Sequence, residues 1–130
     1  MATFVLVPGA WLGSWAWKKV IPHLQANHHT IYAVTLTGLG ERVHLAHPEV
    51  NLETHIQDVV NVFEYQALDS VILVGHSYSG MVVTGVIDQI PDRVSHLVYL
   101  DAIVPRPGQS LFDDWSETGQ QAVAEEARLA

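Results

Sequence analysis

The stretch at residues 70–80, SVILVGHSYSG, decides the fold of this 130-residue chain. Its first half, SVILV, is an apolar run of the length expected for a strand that is buried on both faces. Residues 78–90 then predict a helix, which Pro91 ends because the residue before a proline is biased away from helical geometry. A strand that passes directly into a helix predicts a sharp turn at Ser77.

The turn has the form Gly-x-Ser-x-small, which is the pattern of a nucleophile elbow. In such a turn the serine adopts a strained backbone and its hydroxyl is exposed, so the residues two positions away must be small. Gly75 meets this requirement, whereas Ser79 stands where glycine is usual and carries a Cβ; Gly80 follows it. Ser77 is therefore the candidate nucleophile, and an ordinary strand-to-helix turn is the alternative.

Two backbone N–H groups are candidates for an oxyanion hole beside Ser77. The helix that begins near Tyr78 directs its free N–H groups and the positive end of its dipole towards the serine. Its Tyr78 N–H can donate to a developing oxyanion. The second donor is expected from the loop after the first strand, where Gly9 permits close approach and Ala10 supplies the N–H.

The rest of the chain alternates strands with helices. This alternation predicts an α/β fold with a mostly parallel sheet and helices on both faces, whose chemistry lies at the carboxyl ends of the strands. The loops expected at those ends are residues 8–14, 37–50 and 75–80. The other predicted strands are residues 3–7, 31–36 and 94–100, and the other predicted helices are residues 15–26 and a segment from the N-cap Asn51 to about Gln66.

Composition excludes several classes of partner. Lys and Arg number 6 against 14 Asp and Glu, for a formal charge of -8, which argues against nucleic acid or an anionic membrane surface as the main partner. There is no cysteine, so no disulfide framework or thiolate metal site is indicated. No secretory signal is visible and no apolar run is long enough to span a bilayer, so we expect a cytoplasmic protein.

Five blocks resemble the small bacterial esterases of the α/β-hydrolase fold, relatives of plant methyl-ester esterases and hydroxynitrile lyases. The resemblance implies Ser77 as nucleophile, with the N–H groups of Ala10 and Tyr78 as the oxyanion hole. It also marks two departures: Pro8 stands where the family usually has His, and Ser79 where it usually has Gly. The blocks are FVLVPGAWLGSWAW, LTGLGER, THIQDVV, VILVGHSYSGMVV and HLVYLDAIVPRPGQS.

In this fold the members of the catalytic triad follow one another along the chain in the order Ser, then Asp or Glu, then His. The general base is therefore expected to be a histidine that comes after Ser77. His96 follows Ser77 but is expected near the start of its strand, roughly 15 Å below the catalytic edge. Asp101, at the end of that strand, is a candidate acid; the resembled esterases usually supply the acid later. His44 and His47 lie in a loop on the catalytic side and permit a metal site or a substitute base, although a polar lid loop is the simpler interpretation.

We therefore expect a chain truncated after the fourth strand, with residues 1–110 as the N-terminal part of the hydrolase core and 111–130 as the start of a helical cap. The expected function is hydrolysis of a small carboxylic ester without cofactor or metal, with Trp11 and Leu12 as candidate walls of the substrate pocket and Phe112 and Trp115 as possible cap contacts. A hydroxynitrile-lyase-like enzyme is one alternative. The other is a catalytically incomplete scaffold that pairs with another chain, so an oligomer or a complementing C-terminal fragment is a candidate partner.

Overall fold

The computed structural model describes residues 1–105, which form a sheet of four parallel strands flanked by helices. The strand Thr3–Val7 (β1), which precedes the 8–14 loop, and the strand Val71–His76 (β3), which precedes the elbow, lie side by side in the middle. Thr30–Ala33 (β2) and Val94–Leu100 (β4) lie on either side of them, so the spatial order is β2-β1-β3-β4. The fold class predicted from the sequence is confirmed.

Strand register aligns the carboxyl ends of β1, β3 and β4 at one edge of the sheet. Val7 of β1 pairs with Gly75 of β3, and His76 of β3 pairs with Leu100 of β4. The segments that follow β1, β3 and β4 therefore leave the sheet at the same level. Such an edge is where parallel α/β sheets place their ligands.

The helices cover both faces of the sheet. They are α1 (Ile21–Ala26), α2 (Leu52–Tyr65) and α3 (Ser79–Gln89). Helices α2 and α3 pack with one face of the sheet in the larger core, whereas α1 packs with Leu6, Trp17 and Val74 on the other. The larger core consists of Val5, Val7, Val34, Leu36, Ile56, Val59, Phe63, Leu68, Val71, Leu73, Val82, Val83 and Val86.

Helix α2 begins where the sequence predicts. Asn51 is its N-cap: the Asn51 side chain accepts a hydrogen bond from the Thr54 N–H at 3.1 Å, and the Thr54 hydroxyl accepts one from the Asn51 N–H at 3.2 Å. This reciprocal pair satisfies two N–H groups that would otherwise lack partners. The start of α2 is thereby fixed relative to the loop that precedes it.

The predicted helix over residues 15–26 is wrong as a single element. Ser14–Trp17 is a 3₁₀ helix, residues 18–20 form a turn, and α1 begins only at Ile21. Pro22 gives the physical reason, because it has no N–H to donate to the carbonyl four residues earlier and is tolerated only in the first turn of a helix. The 3₁₀ helix at Ser14–Trp17, which follows the 8–14 loop, is thus a separate element from α1.

The second strand also differs from its prediction. Strand β2 ends at Ala33, and residues 34–36, although buried, leave the ladder towards the loop. That loop is not wholly irregular, since Gly40–Leu45 forms a 3₁₀ helix. It remains a single connection from the carboxyl edge of the sheet to α2.

Strand β4 is paired on one side only within residues 1–105. Val98 and Leu100 are 39% and 47% exposed. An apolar parallel edge of this kind is a surface on which further strands can pair. The division at residue 110, the cap at 111–130 and the side chains of Phe112 and Trp115 fall outside the described residues.

Candidate active site

Ser77 occupies a strained turn between β3 and α3. Its φ is 54°, in the left-handed region that residues with a Cβ rarely adopt. Gly75 permits the turn, because a Cβ there would lie 2.6 Å from the Ser79 carbonyl oxygen and 2.8 Å from Val83 Cγ2. Strand and helix therefore approach closely around Ser77, as the elbow pattern requires.

The loop after β1, residues 8–14, lies directly against this turn. A Cβ on Gly9 would lie 3.2 Å from the Ser77 Cβ and 3.1 Å from the His76 Nδ1. The Gly9–Ala10 backbone consequently passes beside the serine. The Leu12 N–H donates to the Gly9 carbonyl at 3.2 Å, and Trp11 has a φ of 65°, so the loop turns sharply after Ala10.

Ser79 joins the same loop to α3. Its side chain is wholly buried and its hydroxyl donates a hydrogen bond to the Pro8 carbonyl. The two positions that depart from the resembled family are thus in direct contact. Ser79 stands where the resembled family usually has glycine. It is accommodated because the Pro8 carbonyl, in the adjacent loop, accepts the hydrogen bond of its hydroxyl.

Tyr78 is the N-cap residue of α3. Its N–H is one of the donors at the start of the helix that have no acceptor within the helix. Burial raises the pKa of the Tyr78 hydroxyl to about 12, so that hydroxyl stays protonated at neutral pH. Tyr78 thus follows Ser77 at the start of α3, whereas Gly9 approaches Ser77 from the loop after β1.

The segment after β4 also contacts the elbow. The Ile103 N–H donates to the Ser77 carbonyl at 3.1 Å, and Gly80 has no room for a Cβ because the Ile103 carbonyl oxygen lies against it. Asp101, the candidate acid, has a φ of 46° and is exposed. No hydrogen bond among residues 1–105 joins Asp101 to a histidine.

Among residues 1–105, no histidine side chain makes a hydrogen bond with Ser77. The ring of His76 packs edge-on against Trp17 at 6.3 Å between centroids. His96 is exposed in β4, opposite Ile72. His44 is exposed, and His47 accepts a hydrogen bond from the Glu49 N–H at 3.2 Å.

The sequence reasoning overlooked His55. This side chain is only 7% exposed and lies between α2 and the elbow, where its Nδ1 is 2.9 Å from the Tyr78 hydroxyl and its Nε2 is 2.9 Å from the Thr37 carbonyl. A signal was available, because position 55 falls between Leu52 and Val59 at helical spacing and thus on the apolar face of α2.

The loop at residues 8–14 and the loop at residues 37–50 meet backbone to backbone. A Cβ on Gly40, whose φ is 52°, would lie 2.6 Å from the Gly13 Cα. Beside this crossing the Thr35 hydroxyl donates to Glu41 at 2.7 Å and accepts from the Ser14 N–H at 2.8 Å. The bond from Thr35, followed by a backbone hydrogen bond, lowers the pKa of the Glu41 carboxyl.

The candidate pocket walls occupy different surroundings. Trp11 is 50% exposed, whereas Leu12 lines an apolar cavity of about 230 Å³ together with Pro8, Trp17, His76 and Leu100. Residues 1–105 contain no group of three His, Cys, Asp or Glu side chains that could hold a metal ion. No helix in this part of the chain is long and apolar enough to cross a membrane.

A parallel sheet with this elbow defines an α/β hydrolase. The model of the Alpha/beta hydrolase family matches residues 4–129, and the chain belongs to that family. The resemblance inferred from the sequence blocks is thereby confirmed.

Similar proteins include several esterases. A carbendazim hydrolyzing esterase of Nocardioides sp. (strain SG-4G) is 52% identical over 112 residues, which cover 86% of this chain and 46% of the relative. Methylesterase 8 of Arabidopsis thaliana is 33% identical over 103 residues, or 78% of this chain and 38% of the relative. The chain thus spans half or less of the length of these relatives.

A solved structure shares the fold closely. An extracellular α/β-hydrolase from a Paenibacillus species, described as homologous in structure and function to tobacco salicylic acid binding protein 2, superposes with a TM-score of 0.88 at 30% identity. The match covers 96% of this chain and 50% of that one. The chain therefore corresponds to about half of a known hydrolase.

Proposed function

We propose that this chain carries the nucleophile and the oxyanion hole of a serine esterase that cleaves small carboxylic esters. The observation that supports it most directly is the left-handed backbone of Ser77 (φ 54°) in contact distance of the Gly9–Ala10 loop. Strain of this kind persists only where the surrounding structure enforces it, and it is typical of functional turns. The esterases among the relatives support the reaction class.

The reaction begins when the Ser77 Oγ attacks the ester carbonyl carbon while a general base takes the hydroxyl proton. The N–H groups of Ala10 and Tyr78 then donate to the oxyanion of the tetrahedral intermediate. When the intermediate collapses, the bond to the alcohol oxygen breaks and the base returns its proton to the leaving alcohol. Water attacks the acyl-Ser77 by the same route, which releases the carboxylic acid and restores the serine.

The general base is proposed to come from a segment outside this chain. None of the hydrogen bonds among residues 1–105 involves the Ser77 hydroxyl, and the chain spans half or less of its relatives. Asp101 is the acid candidate within the described residues; its exposure and the lack of a histidine partner give this role little support. A separate C-terminal fragment that pairs along β4 would serve the same purpose as a continuous chain.

The substrate is proposed to be a small carboxylic ester. Trp11 and Leu12 follow the Ala10 N–H directly, so they are placed to contact the acyl or alcohol group beside the oxyanion hole. Cofactors, metals and nucleic acid have no part in the proposed reaction, and the proposed location is the cytoplasm. No contact among the described residues favours the lyase alternative.

The test is covalent labelling of Ser77. The complete protein that carries this chain is treated with a fluorophosphonate and the modified residue is located by peptide mass. We expect one equivalent of label on Ser77, loss of label and esterase activity in Ser77→Ala, and neither loss in Ser95→Ala, which removes an exposed serine of β4. Full labelling of Ser77→Ala would refute the nucleophile assignment.

A further inference from the structure

His55 has no role in the steps above, yet it is a buried side chain that is hydrogen-bonded to Tyr78, a proposed oxyanion donor. It projects from α2, 23 positions before Tyr78, and packs edge-on against the Tyr78 ring with 5.7 Å between the centroids. Both ring nitrogens have partners at 2.9 Å. A buried histidine with two fully used nitrogens is held in one orientation.

The partners determine where the proton of His55 lies. The Thr37 carbonyl can only accept, so the Nε2 atom must carry hydrogen and donate to it. The Nδ1 atom of the neutral ring then accepts from the Tyr78 hydroxyl. A tyrosine hydroxyl at its ordinary pKa is already a donor at neutral pH, and burial raises the pKa of Tyr78 further, to about 12. One tautomer therefore satisfies all three groups.

Thr37, whose carbonyl accepts the hydrogen bond from His55, is itself held by a second residue of α2. Asp58, three residues after His55, accepts from the Thr37 N–H at 2.6 Å and from the Thr37 hydroxyl at 2.7 Å. Residues three apart lie on the same face of a helix. Together His55 and Asp58 engage the N–H, hydroxyl and carbonyl of Thr37, the first residue of the 37–50 loop.

We propose that His55 is a positioning residue of the oxyanion hole. Through the Tyr78 hydroxyl it restrains the residue whose backbone N–H faces the oxyanion, and through Thr37 it ties that restraint to the 37–50 loop. This inference rests on the proposed function, because it assigns Tyr78 its role as donor. Misplacement of reacting groups by about 1 Å can cost on the order of 100-fold in rate, so a side chain behind the donor can control turnover without contact with substrate.

Two variants of the complete protein test the link. Tyr78→Phe deletes only the hydroxyl, and His55→Gln keeps an amide donor within reach of Thr37 while it removes the imidazole acceptor. We expect each to lower kcat and the rate of fluorophosphonate labelling at Ser77 by roughly 5- to 50-fold, below the loss of a whole oxyanion donor, with KM changed by less than about twofold. The double variant is expected to be no slower than the slower single one, because both remove the same hydrogen bond.

Tyr99→Phe is the matched control. It also deletes a tyrosine hydroxyl that makes a short hydrogen bond, 2.6 Å to Thr84 on α3, but this hydroxyl bonds neither His55 nor Tyr78. We expect it to lower the melting temperature about as much as Tyr78→Phe and to leave kcat and labelling unchanged. A fall in kcat as large as that of Tyr78→Phe would overturn the positioning role, as would unchanged labelling of Ser77 in Tyr78→Phe and His55→Gln.

The ¹⁵N shifts of His55 separate this inference from the proposed function. They report the ring tautomer whether or not the protein turns over an ester, and we expect Nε2–H with an unprotonated Nδ1. If wild type labels at Ser77 but His55 shows the other tautomer, the positioning role fails and the esterase stands. If wild type does not label at all, the esterase fails, and the positioning role fails with it.

Discussion

The hydroxyl of Ser79 donates a hydrogen bond to the carbonyl of Pro8, 71 positions earlier in the chain. Ser79 opens α3 directly after the elbow, and Pro8 opens the loop that carries Ala10. Both residues are fully buried. The bond therefore fixes the spacing between the two elements that are proposed to form the oxyanion hole.

Ser79→Ala is expected to destabilise the protein. Removal of the hydroxyl leaves the buried Pro8 carbonyl without this donor, which costs about 1–3 kcal/mol of unfolding free energy. Urea unfolding of the two proteins measures the difference. Ser95→Ala, whose hydroxyl is on an exposed residue, is expected to change stability by less than ~0.5 kcal/mol, and equal effects of the two substitutions would contradict the assigned importance of the Ser79 bond.

Gly9→Ala is expected to reduce activity more than stability. The new Cβ would lie 3.1–3.2 Å from His76 and Ser77, so loop and elbow must separate by a few tenths of an ångström. We expect kcat/KM for an ester to fall about tenfold or more, because the oxyanion donors shift from the nucleophile. Steady-state kinetics with a thermal melt of the same sample measures both quantities.

Gly85→Ala serves as the comparison for that variant. A Cβ at Gly85 meets the Ile56 side chain between α2 and α3, in the core. It is expected to lower the melting temperature more than Gly9→Ala does, while kcat per folded molecule stays near wild type. If Gly85→Ala reduced kcat as strongly as Gly9→Ala, the effect of Gly9 would be one of general stability.

Tyr78 is expected to make stability depend on pH in the alkaline range. Its pKa is about 12 in the folded protein and the ordinary 10.0 when unfolded. The neutral hydroxyl is thus favoured by folding, so its contribution is complete below pH 10 and is lost as the pH rises towards 12. The unfolding free energy of wild type should therefore fall relative to that of Tyr78→Phe over this window.

The absorbance of tyrosinate gives an independent readout of the same group. One tyrosinate step is expected well above pH 10, and this late step should vanish in Tyr78→Phe. A titration in which the substitution removes a step at the ordinary tyrosine value would show that the Tyr78 hydroxyl is solvated in the folded protein.

Asn51→Ala is expected to cost about 1 kcal/mol of stability, the usual loss for an N-cap. The substitution removes the acceptor for the Thr54 N–H and one half of the reciprocal pair that begins α2. Because α2 also carries His55 and Asp58, amide hydrogen exchange should rise first in its opening turn. Asn51→Asp, which keeps the acceptor, is expected to retain most of the stability; a loss equal to that of alanine would argue against the cap.

The sequence predicted those parts of the fold that depend on neighbours in the chain. Strands β1 and β4 have the predicted bounds, and Asn51 begins α2 as expected, since apolar runs and caps are local signals. The interruption at Pro22 was within reach of the same reasoning, because the missing N–H is a property of one residue.

The contacts behind the elbow could not be predicted in this way. His55 meets Tyr78 only after α2 and α3 pack, and Ser79 meets Pro8 only after β1 pairs with β3. Motif spacing assigned Ala10, Ser77 and Tyr78 to one edge of the sheet but carried no information on which buried side chains hold them. The assignments of these three residues to the chemistry stay predictions until Ser77 is labelled.

The crossing of Gly13 and Gly40 limits how this protein can be redesigned. The Gly13 backbone leaves no room for a Cβ on Gly40, and the side chains of Glu41 and Trp15 leave none for a Cβ on Gly13. The two loops therefore form one closely packed part, which the bridge from Ser14 through Thr35 to Glu41 closes. An engineer who grafts the 37–50 loop of a relative to change substrate preference must transplant residues 8–14 with it. A single-loop chimera that places a side chain at position 13 or 40 would collide at this crossing before its new specificity could be tested.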